Sequence, residues 1–374
     1  MESRNGRDPL VLHLLAVDGL GGTEVQVSTQ AIEMLGRRVE QQVAFLALPG
    51  PVFARLGRAG VHAHALGGRL GLAGKVMRLI RLLRTRRVDV IEAYGFQALM
   101  IARVAAPFGR RPRLIAGVRG LNLTDAEDLT GRRVRIVAAA ERLLSRSIRA
   151  YDVNSLGARD FLVGAGVDPR RIVTIPSATT VRPRRDEQPK SGPLRVVCVA
   201  GFRPIKRHVT LVRAIDRAVC SGRDIVCTLV GSGPTLELTR GETTRLGIEH
   251  RFHFTGSVAP EAVDEHLRRA DVFVLCSRSE GSPGSVLEAM SAGLPVIGTD
   301  VPGIRDVVVV GETGLLVPVD DPAALAESLK ALAADPERCR RLGDGGRARV
   351  AEFHSWERVT ALKEALYLDV AGIA

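Results

Sequence analysis

The chain has 374 residues, 45% of them hydrophobic and 4% aromatic, and a formal net charge of +12. Two domains are expected at this length. No apolar run reaches the roughly 18 residues of a membrane-spanning helix, and no signal-peptide cleavage site follows the first apolar run. We therefore expect a cytoplasmic protein without a transmembrane helix.

The positive charge is concentrated in the first half of the chain. Residues 1–190 carry 31 Lys and Arg against 17 Asp and Glu, whereas residues 191–374 carry 22 against 24. Two predicted helical segments are rich in arginine: Arg78, Arg81, Arg84, Arg86 and Arg87 in one, Arg132, Arg133 and Arg135 in the other. One interpretation is solvated helix faces. The other is an anionic partner such as a lipid surface, which attracts nearby basic residues by roughly 1 kcal/mol each. Nucleic acid is not expected, because no recognition motif or interleaved aromatic residues accompany these charges.

Short Val- and Ile-rich runs alternate with longer amphipathic segments along the whole chain. The predicted strands are, in the first half, LVLHLLAV, VAFLAL, VHAHAL, VDVIEAY, RLIAGV, AYDVNS and RIVTIP, and in the second half LRVVCVA, IVCTLVG, RFHFTG, ADVFVLCS, LPVIGTD and TGLLVPV. Buried parallel strands separated by helices have this pattern. We predict an α/β fold made of two Rossmann-like domains that face each other across a cleft.

A segment rich in Pro and charged residues, VRPRRDEQPKSGP, separates the two halves. We predict an N-terminal domain at 1–182, a linker at 183–193, a C-terminal domain at 194–355, and a C-terminal helix at 356–374 that packs back on the N-terminal domain. Ligands of open parallel sheets bind outside the carboxyl ends of the strands. The loops that directly follow strands are therefore the candidate binding loops.

Glycines dominate the loop after the first strand, where Gly19, Gly21 and Gly22 precede a helix opened by Thr23 and Glu24. Glycine lets backbone N–H groups approach a phosphate closely. The spacing G-x-G-G differs from the dinucleotide fingerprint G-x-G-x-x-G, so NAD binding is not favoured. A phosphate-binding turn and a plain tight turn are equally compatible with this loop.

Three further polar side chains of the first half invite a functional interpretation. Arg119 follows the strand RLIAGV at the ligand edge, where contact with an acceptor or phosphate and a plain surface role are both open. His62 and His64 share one face of a strand, and we interpret them as strand residues because no third metal ligand lies nearby in sequence.

Basic residues and glycines occupy three loops of the second half. Arg203 and Lys206 follow the strand LRVVCVA, where a lysine can reach a pyrophosphate. A solvated basic turn is the alternative. VGSGP and FTGSV are further glycine loops, each able to hold a base or a phosphate by backbone contacts.

Cysteine usage argues against a disulfide framework. The five cysteines are odd in number, all lie in the second half, and form no C-x-x-C pair: Cys198, Cys220, Cys227, Cys276 and Cys339. We expect reduced, buried thiols and no zinc site.

Two glutamates eight positions apart are the strongest signal in the chain. Glu280 lies just after the strand ADVFVLCS, and Glu288 lies about one turn inside the following helix. The helix N-terminus between them exposes unpaired N–H groups and a positive dipole end, which suits a phosphate. Glu288 is surrounded by apolar residues, and a buried carboxylate needs a partner such as a ribose diol. The alternatives are that Glu288 is an acid on the helix surface and that Glu280 is a turn residue.

The pattern E-G-x-x-x-x-x-x-E-A-M-x-x-G-x-P-V resembles the signature of the retaining nucleotide-sugar glycosyltransferases of family 4, which have the GT-B fold. The GGTE loop, GFRPIKR, VGSGP, FTGSV, GIRDVV and GETGLLVPVDDPAALAESL are similar to that family's motifs in the same order. The resemblance covers nearly the whole chain and is strongest over 194–330. It implies that the basic N-terminal domain is the acceptor side and the C-terminal domain the donor side.

The resemblance also implies roles for the residues that match the family's motifs. Lys206 would hold the donor diphosphate with help from Arg203, Glu288 would bind the ribose hydroxyls, and Glu280 would contact hydroxyls of the transferred sugar. The remaining donor contacts would be made by backbone groups: Gly284, Ser285 and Val286 to the phosphates, Val258 to the base, and Gly21 and Gly22 over the phosphates from the other domain.

Two positions depart from the family pattern. Members often carry an arginine where this chain has Gly201, so the usual Arg–Lys pair is incomplete unless Arg203 substitutes. The common sequence I-P-N-G before the linker is I-P-S-A here, at residues 175–178. Both departures motivate the alternative of a non-catalytic subunit.

Taken together, the motifs predict a glycosyltransferase that moves a sugar from a nucleotide-sugar to a glycan or lipid-linked acceptor in cell-surface polysaccharide or glycolipid synthesis. Retention of configuration follows from the resemblance. The chain contains no Asp-x-Asp pair, so we expect no metal and no cofactor. The expected location is the cytoplasm, with peripheral contact at the inner face of the membrane. A sugar-nucleotide epimerase of the same fold and a non-catalytic subunit of a polysaccharide-assembly complex are the alternatives.

Overall fold

The computed structural model describes residues 7–19, 21–68, 71–120, 145–182 and 192–373. Its internal contacts divide the chain into two compact units. The first unit comprises residues 1–177 together with 356–374, and the second unit comprises residues 178–355. Most of the predicted linker, residues 183–191, and the second arginine cluster lie outside the described residues.

A seven-stranded parallel sheet forms the centre of the first unit. Its strands have the order β3-β2-β1-β4-β5-β6-β7. Their bounds are β1 Leu10–Leu15, β2 Glu40–Phe45, β3 His62–Ala65, β4 Val90–Tyr94, β5 Arg113–Val118, β6 Ile148–Val153 and β7 Ile172–Thr174. The inner strands are buried along their length, because helices cover both faces of the sheet.

The crossover helices of the first unit follow the strands in alternation. Their bounds are α1 Gly22–Glu33, α2 Pro51–Arg58, α3 Gly71–Thr85, α4 Phe96–Ala105 and α5 Leu156–Gly164. Leu12 and Ile91 of the sheet pack with Leu79 of α3 in one core cluster, and Leu15 and Phe45 of the sheet pack with Val27 of α1 in another. Glycine or proline marks the start of α1, α2 and α3, where the chain leaves a strand end.

The second unit repeats the same architecture with six parallel strands in the order β10-β9-β8-β11-β12-β13. The strands are β8 Leu194–Val199, β9 Ile225–Val230, β10 Phe252–Gly256, β11 Val272–Leu275, β12 Val296–Thr299 and β13 Gly314–Val317. The helices are α6 His208–Cys220, α7 Leu236–Arg245, α8 Pro260–Arg269, α9 Gly284–Ser291, α10 Pro302–Arg305, α11 Pro322–Ala334 and α12 Pro336–Phe353. The chain then returns to the first unit as α13, Trp356–Ala371.

The strand order reverses direction between β8 and β11, which are hydrogen-bonded neighbours. Loops that follow two such strands diverge from each other and leave a crevice, the usual ligand position in this kind of sheet. The loop after β8 carries Lys206, and the loop after β11 carries Glu280. The topology therefore places the two strongest sequence motifs side by side.

The predicted α/β fold with two parallel-sheet domains is confirmed. Each predicted strand run contains a strand, and helices connect consecutive strands of both sheets, apart from the β5–β6 connection, most of which lies outside the described residues. Among the helices that the structure describes, none combines the length and apolarity needed to cross a bilayer.

Candidate active site

The turn that carries Lys206 is fixed by its neighbouring loop. Phe202 is fully buried, its N–H donates to the carbonyl of Ser232 at 2.9 Å, and its carbonyl accepts from the N–H of Thr235 at 3.0 Å. A short 3-10 turn, Pro204–Lys206, follows and presents the lysine. The VGSGP loop and the residue after it thus fix the position of the turn that carries Lys206.

Glu280 and Lys206 form an ion pair, with Lys206 Nζ 2.5 Å from Glu280 Oε1. The same oxygen accepts a hydrogen bond from Ser277 Oγ at 2.5 Å. The two loops are also joined by their backbones, because the N–H of Arg278 donates to the carbonyl of Ile205 at 2.9 Å. The lysine and the glutamate are therefore held together by more than their charges.

The pair is partly open to solvent, with 22% of the Lys206 side chain and 10% of the Glu280 side chain exposed. Within the described residues, Glu280 Oε2 has no hydrogen-bond partner. A carboxylate oxygen has two lone-pair sites, and an ammonium group has three donors. The pair can therefore accept a ligand hydroxyl at one end and donate to a ligand oxygen at the other.

Helix α9 begins four residues after Glu280 and has no side-chain cap. The Val286 N–H donates to the carbonyl of Pro283 at 3.1 Å. Of the three predicted phosphate donors, Val286 is thus already engaged, whereas the N–H groups of Gly284 and Ser285 meet no acceptor within the described residues. Two free donors at the positive end of a helix dipole remain suited to an anion.

Glu288 lies on the following turn of α9, half-buried between Leu287 and Ala289, which are fully buried. Burial raises the pKa of its carboxyl, the Arg182 guanidinium lowers it in part, and Asp264 raises it further. Arg182 does not bond that carboxyl. It donates to the Glu288 backbone carbonyl at 2.7 Å and pairs with Asp264. The carboxylate has no hydrogen-bond partner in the described chain, which leaves it open for ligand hydroxyls.

The other predicted donor-side residues lie in neighbouring loops of the second unit. Arg203 is exposed at the start of the lysine turn, and Val258 is half-buried after β10. Ser232 Oγ and Ser257 Oγ are 2.6 Å apart, which joins the VGSGP and FTGSV loops. Gly201 is exposed, and a Cβ added there would come no closer than 3.7 Å to the Ser232 carbonyl oxygen. Packing alone does not exclude an arginine at that position.

In the first unit, Gly21 is the N-cap of α1 and Gly22 is its first residue. A Cβ at Gly21 would lie 2.3 Å from a carboxylate oxygen of Glu24, whereas the space at Gly22 is open. Asp18, directly before this loop, accepts from the N–H groups of Gly50 at 2.5 Å and Val52 at 3.0 Å. The glycine loop is thus anchored at its start to the N-terminus of α2.

Arg119 lies inside the first unit, with 13% of its side chain exposed. Its guanidinium pairs with Asp152, approaches Glu92 at 3.5 Å, and stacks over the Tyr94 ring at 5.1 Å. These contacts balance the charge of the Arg119 guanidinium without a ligand. A contact between Arg119 and an acceptor stays a prediction.

Sequence reasoning missed the buried network to which Arg119 belongs. We define the buried network as Glu92, Asp152, Arg119, Lys363 and Tyr367. Lys363 of α13 lies 3.0 Å from Glu92 Oε1 and also pairs with Asp152. Tyr367 donates to Glu92 Oε2 at 2.5 Å. The network therefore holds the last helix on the first sheet.

Burial and charge shift the acids of this network in opposite directions. Burial raises the pKa of the Glu92 carboxyl, but Lys363 and Arg119 outweigh burial and hold that pKa at about 2. For Asp152, burial dominates and the pKa is raised despite the two cations. The neighbouring His13 is fully buried, and burial lowers its pKa to about 3. A Glu, an Asp and a His inside apolar strands were the available signal for such a network.

The cysteines are free thiols, and Cys198, Cys227 and Cys276 are buried. Burial raises the pKa of the Cys198 thiol to about 12, which keeps it unreactive. Cys220 is exposed instead, so the expected burial does not hold for every thiol. His64 Nε2 lies 2.8 Å from Gln42 Oε1 on the neighbouring strand. The part of the chain that the structure describes contains no group of three or more His, Cys, Asp or Glu arranged for a metal ion.

Two family profiles together match both units. The glycosyl transferases group 1 profile matches residues 182–349, and the glycosyl transferase 4-like domain profile matches residues 21–178. Both matches are consistent with the motif order along the chain.

Named relatives extend these matches over most of the chain. The 2-deoxystreptamine N-acetyl-D-glucosaminyltransferase of Streptomyces fradiae is 30% identical over 365 residues, 87% of this chain and 85% of that protein. The GDP-mannose-dependent alpha-(1-6)-phosphatidylinositol monomannoside mannosyltransferase of Mycolicibacterium smegmatis is 28% identical over 283 residues, 71% of this chain and 73% of that protein.

Solved structures share the fold. Anabaena HepE in complex with UDP-glucose superposes with a TM-score of 0.82 at 18% identity, over 96% of this chain and 99% of that chain. Sucrose-phosphate synthase from Thermosynechococcus elongatus superposes with a TM-score of 0.79 at 19% identity, over 98% and 100%. Because one named relative is 30% identical over most of both chains and the profiles cover both units, the chain belongs to the glycosyl transferases group 1 family and is a family 4 glycosyltransferase with the GT-B fold.

Proposed function

We propose that this glycosyltransferase moves a sugar from a nucleotide-sugar to a glycan or lipid-linked acceptor, with retention of configuration and without a metal. The observation that carries the proposal is the Lys206–Glu280 pair, which lies at the carboxyl ends of β8 and β11 beside the start of α9. A cation, an open carboxylate oxygen and free helix N–H groups are the functional groups that a sugar diphosphate requires.

Each donor fragment has a candidate partner in the second unit. Lys206 and the N–H groups of Gly284 and Ser285 supply positive charge for the diphosphate. Glu280 Oε2 accepts from hydroxyls of the transferred sugar, and the Glu288 carboxylate accepts from the ribose diol. Arg203 and Val258 keep their proposed supporting roles toward the phosphates and the base, and Gly21 and Gly22 of the first unit keep theirs toward the phosphates.

The chemical step breaks the bond between the anomeric carbon and the diphosphate oxygen and forms a bond from that carbon to an acceptor oxygen. The developing negative charge on the diphosphate is stabilised by Lys206 and the α9 N-terminus. We propose that the leaving phosphate takes the acceptor proton as the acceptor attacks the same face, which retains the configuration. Because the chain has no Asp-x-Asp pair, these groups stand where other enzymes use a divalent cation.

We propose an anionic or membrane-associated acceptor, because 31 Lys and Arg stand against 17 Asp and Glu in the first 190 residues. The M. smegmatis relative is named for a phosphatidylinositol monomannoside acceptor. On α3, the exposed Leu72 and Met77 accompany the exposed Arg81. The proposed location is the inner face of the cytoplasmic membrane. Equal sedimentation of the parent and an Arg81→Glu, Arg86→Glu variant with anionic vesicles would contradict this part.

A nucleotide-sugar panel tests the donor proposal. A donor present at a hundredfold excess over its Kd stabilises the fold by about 2.7 kcal/mol, which a thermal-shift assay detects. With that donor, Glu280→Gln should lower nucleotide release by about 10²–10³-fold, the usual cost of losing one transition-state contact. Chelation by EDTA should leave turnover unchanged, and NMR of the product should show the donor's anomeric configuration.

The matched control is Glu242→Gln. Glu242 is another acid of the second unit with 10% of its side chain exposed, and its partners are Arg213 and Arg245 at 2.6 and 2.8 Å. This variant should keep full turnover. Absence of nucleotide release from the parent with every donor and acceptor would instead support a non-catalytic subunit.

A further inference from the structure

Asp320 bridges two arginines that belong to the two loops of the candidate site. It follows β13, and its Oδ1 lies 2.5 Å from Arg207 Nε. Its other oxygen, Oδ2, lies 2.7 Å from Arg278 Nε and 2.6 Å from Arg278 Nη2. Both oxygens of one carboxylate are therefore occupied, each by a different loop.

The backbone at both ends of one bridge is in the left-handed region. Arg207 has φ 52° and Asp320 has φ 58°. Among the described residues, these two and Arg111 are the non-glycine residues with positive φ. Such conformations persist only where the surroundings enforce them, and they cluster at functional sites. Here two of them are bonded directly to each other.

The bridged segments carry the Lys206–Glu280 pair. Arg207 is the next residue after Lys206, and Arg278 precedes Glu280 by two positions. The Arg278 N–H also donates to the Ile205 carbonyl at 2.9 Å. Because the Asp320 carboxylate pairs with both Arg207 and Arg278, it limits how far Lys206 and Glu280 can move apart.

The bridge contributes little to overall stability by itself. The exposed fractions are 29% for the Asp320 side chain, 35% for Arg207 and 55% for Arg278, and ion pairs so exposed are weak contributors to folding. A residue that adds little stability and still adopts a costly backbone conformation points to a local geometric role.

We propose that Asp320 is a positioning residue that fixes the distance between Lys206 and Glu280 while it touches no substrate itself. This inference rests on the proposed donor-binding role of that pair. The reaction that depends on this distance is the transfer of the sugar from the sugar diphosphate.

Asp320→Gly tests the proposal, because glycine adopts φ 58° without strain and cannot bridge the arginines. The Tm should stay level or rise, whereas kcat/KM for the donor should fall by about tenfold to a hundredfold, the usual cost of a misplaced reacting group. Asparagine also tolerates this backbone conformation, so Asp320→Asn should lower kcat/KM less than Asp320→Gly does. The control Glu242→Gln, which also removes an acid between two arginines, should keep both Tm and kcat/KM.

A second variant, Arg207→Gly, checks the mechanism from the other side of the bridge. If Asp320 acts through Arg207, the double variant should be no slower than the slower single variant, because both remove the same constraint. Additive losses would overturn the proposed route.

The two proposals fail in different ways. If Glu280→Gln leaves donor turnover intact, the proposed function of the pair is wrong whatever Asp320→Gly does. If Glu280→Gln abolishes turnover and Asp320→Gly keeps kcat/KM within about twofold at equal Tm, the positioning role is wrong and the donor site stands.

Discussion

The two units each contain a cluster of opposite charges, and the clusters differ in how far they are closed. In the first unit, Glu92 and Asp152 are fully buried and meet Lys363, Arg119 and Tyr367. In the second unit, Lys206 and Glu280 are partly exposed, and one carboxylate oxygen has no partner within the described residues. Each cluster has a carboxylate oxygen without a partner within the described residues, but that of Asp152, Oδ1, is buried, whereas the Lys206–Glu280 pair is partly exposed and can be reached by a ligand.

Burial explains the difference. A charge inside a protein must be matched by its own neighbours, since removal of one partner leaves an uncompensated charge. The buried network therefore directs its charges at internal partners, with only Asp152 Oδ1 left without a hydrogen bond within the described residues, and it fixes α13 on the sheet. A charge pair at the surface can leave part of its capacity for a ligand. Full burial thus distinguishes a charge cluster that stabilises the fold from a partly exposed one that can bind a ligand.

The largest expected effect tests the closure of the buried network. Lys363→Met should lower the free energy of unfolding by about 3–5 kcal/mol, because it leaves two buried acids with one cation. Chemical denaturation measures this loss. The control Lys330→Met removes a lysine from a surface pair with Glu327 and should cost less than about 1 kcal/mol. Equal stability of the two variants would mean that the buried charges are not mutually dependent.

A smaller effect should appear in the pH dependence of stability, through His13. Burial lowers the pKa of this imidazole in the folded state to about 3 from an ordinary 6.5. Its contribution is therefore fully present above pH 6.5 and is lost as the pH falls toward 3, because only the unfolded chain takes up the proton. The slope approaches about 1.4 kcal/mol per pH unit.

His13→Gln should reduce that slope between pH 6.5 and 4.5, above the range in which Glu92 titrates, and should leave the part contributed by His208, whose pKa burial lowers to about 4. Denaturant titrations at several pH values measure it. The matched control is His62→Gln on the exposed start of β3, which should keep the parent slope. If His13→Gln leaves the slope of the parent unchanged, groups other than His13 cause the pH dependence of stability.

The smallest expected effect tests the open cluster through Gly303 of α10. A Cβ at this position would lie 2.3 Å from the Glu280 carbonyl oxygen and 2.2 Å from that of Gly281. Gly303→Ala must therefore displace the Glu280 loop, and donor kcat/KM should fall by about tenfold. Steady-state kinetics below the melting range measures this.

Gly314→Ala is the matched control for this overpacking. Its Cβ would lie 2.3 Å from the Val296 carbonyl oxygen, a comparably tight contact elsewhere in the second unit. Both variants should lose stability, but only Gly303→Ala should lose turnover in proportion to its effect on the Glu280 loop. Equal kinetic losses would make the effect a general consequence of overpacking.

Much of the fold could be predicted because its signals are local. Val- and Ile-rich runs such as LVLHLLAV mark buried strands, and the loops that follow them carry the motifs. The rule that ligands bind at the carboxyl ends of parallel strands then brought Lys206 and Glu280 to one sheet edge. Their direct contact was not predicted, since it depends on β8 and β11 being neighbours.

What the sequence could not reveal depends on residues far apart in the chain. Lys363 meets Glu92 across 271 positions, and Asp320 meets Arg207 across 113. No local period links such partners. The family resemblance implies a phosphate contact for the Val286 N–H, but in the structure this N–H donates to the Pro283 carbonyl. Such details follow from backbone geometry, which residue types do not specify.

The return of α13 to the first unit makes the second unit an insertion within the first. The chain enters the second unit near Thr179 and leaves it at Ser355, and these residues form a parallel bridge, with the Thr179 N–H donating to the His354 carbonyl at 2.9 Å. Entry and exit are thus adjacent, as in domains that tolerate excision and rejoining. Joining residue 177 to residue 356 should therefore give a stand-alone first unit, whereas a chain stopped at 177 would lose Lys363 from beside two buried acids.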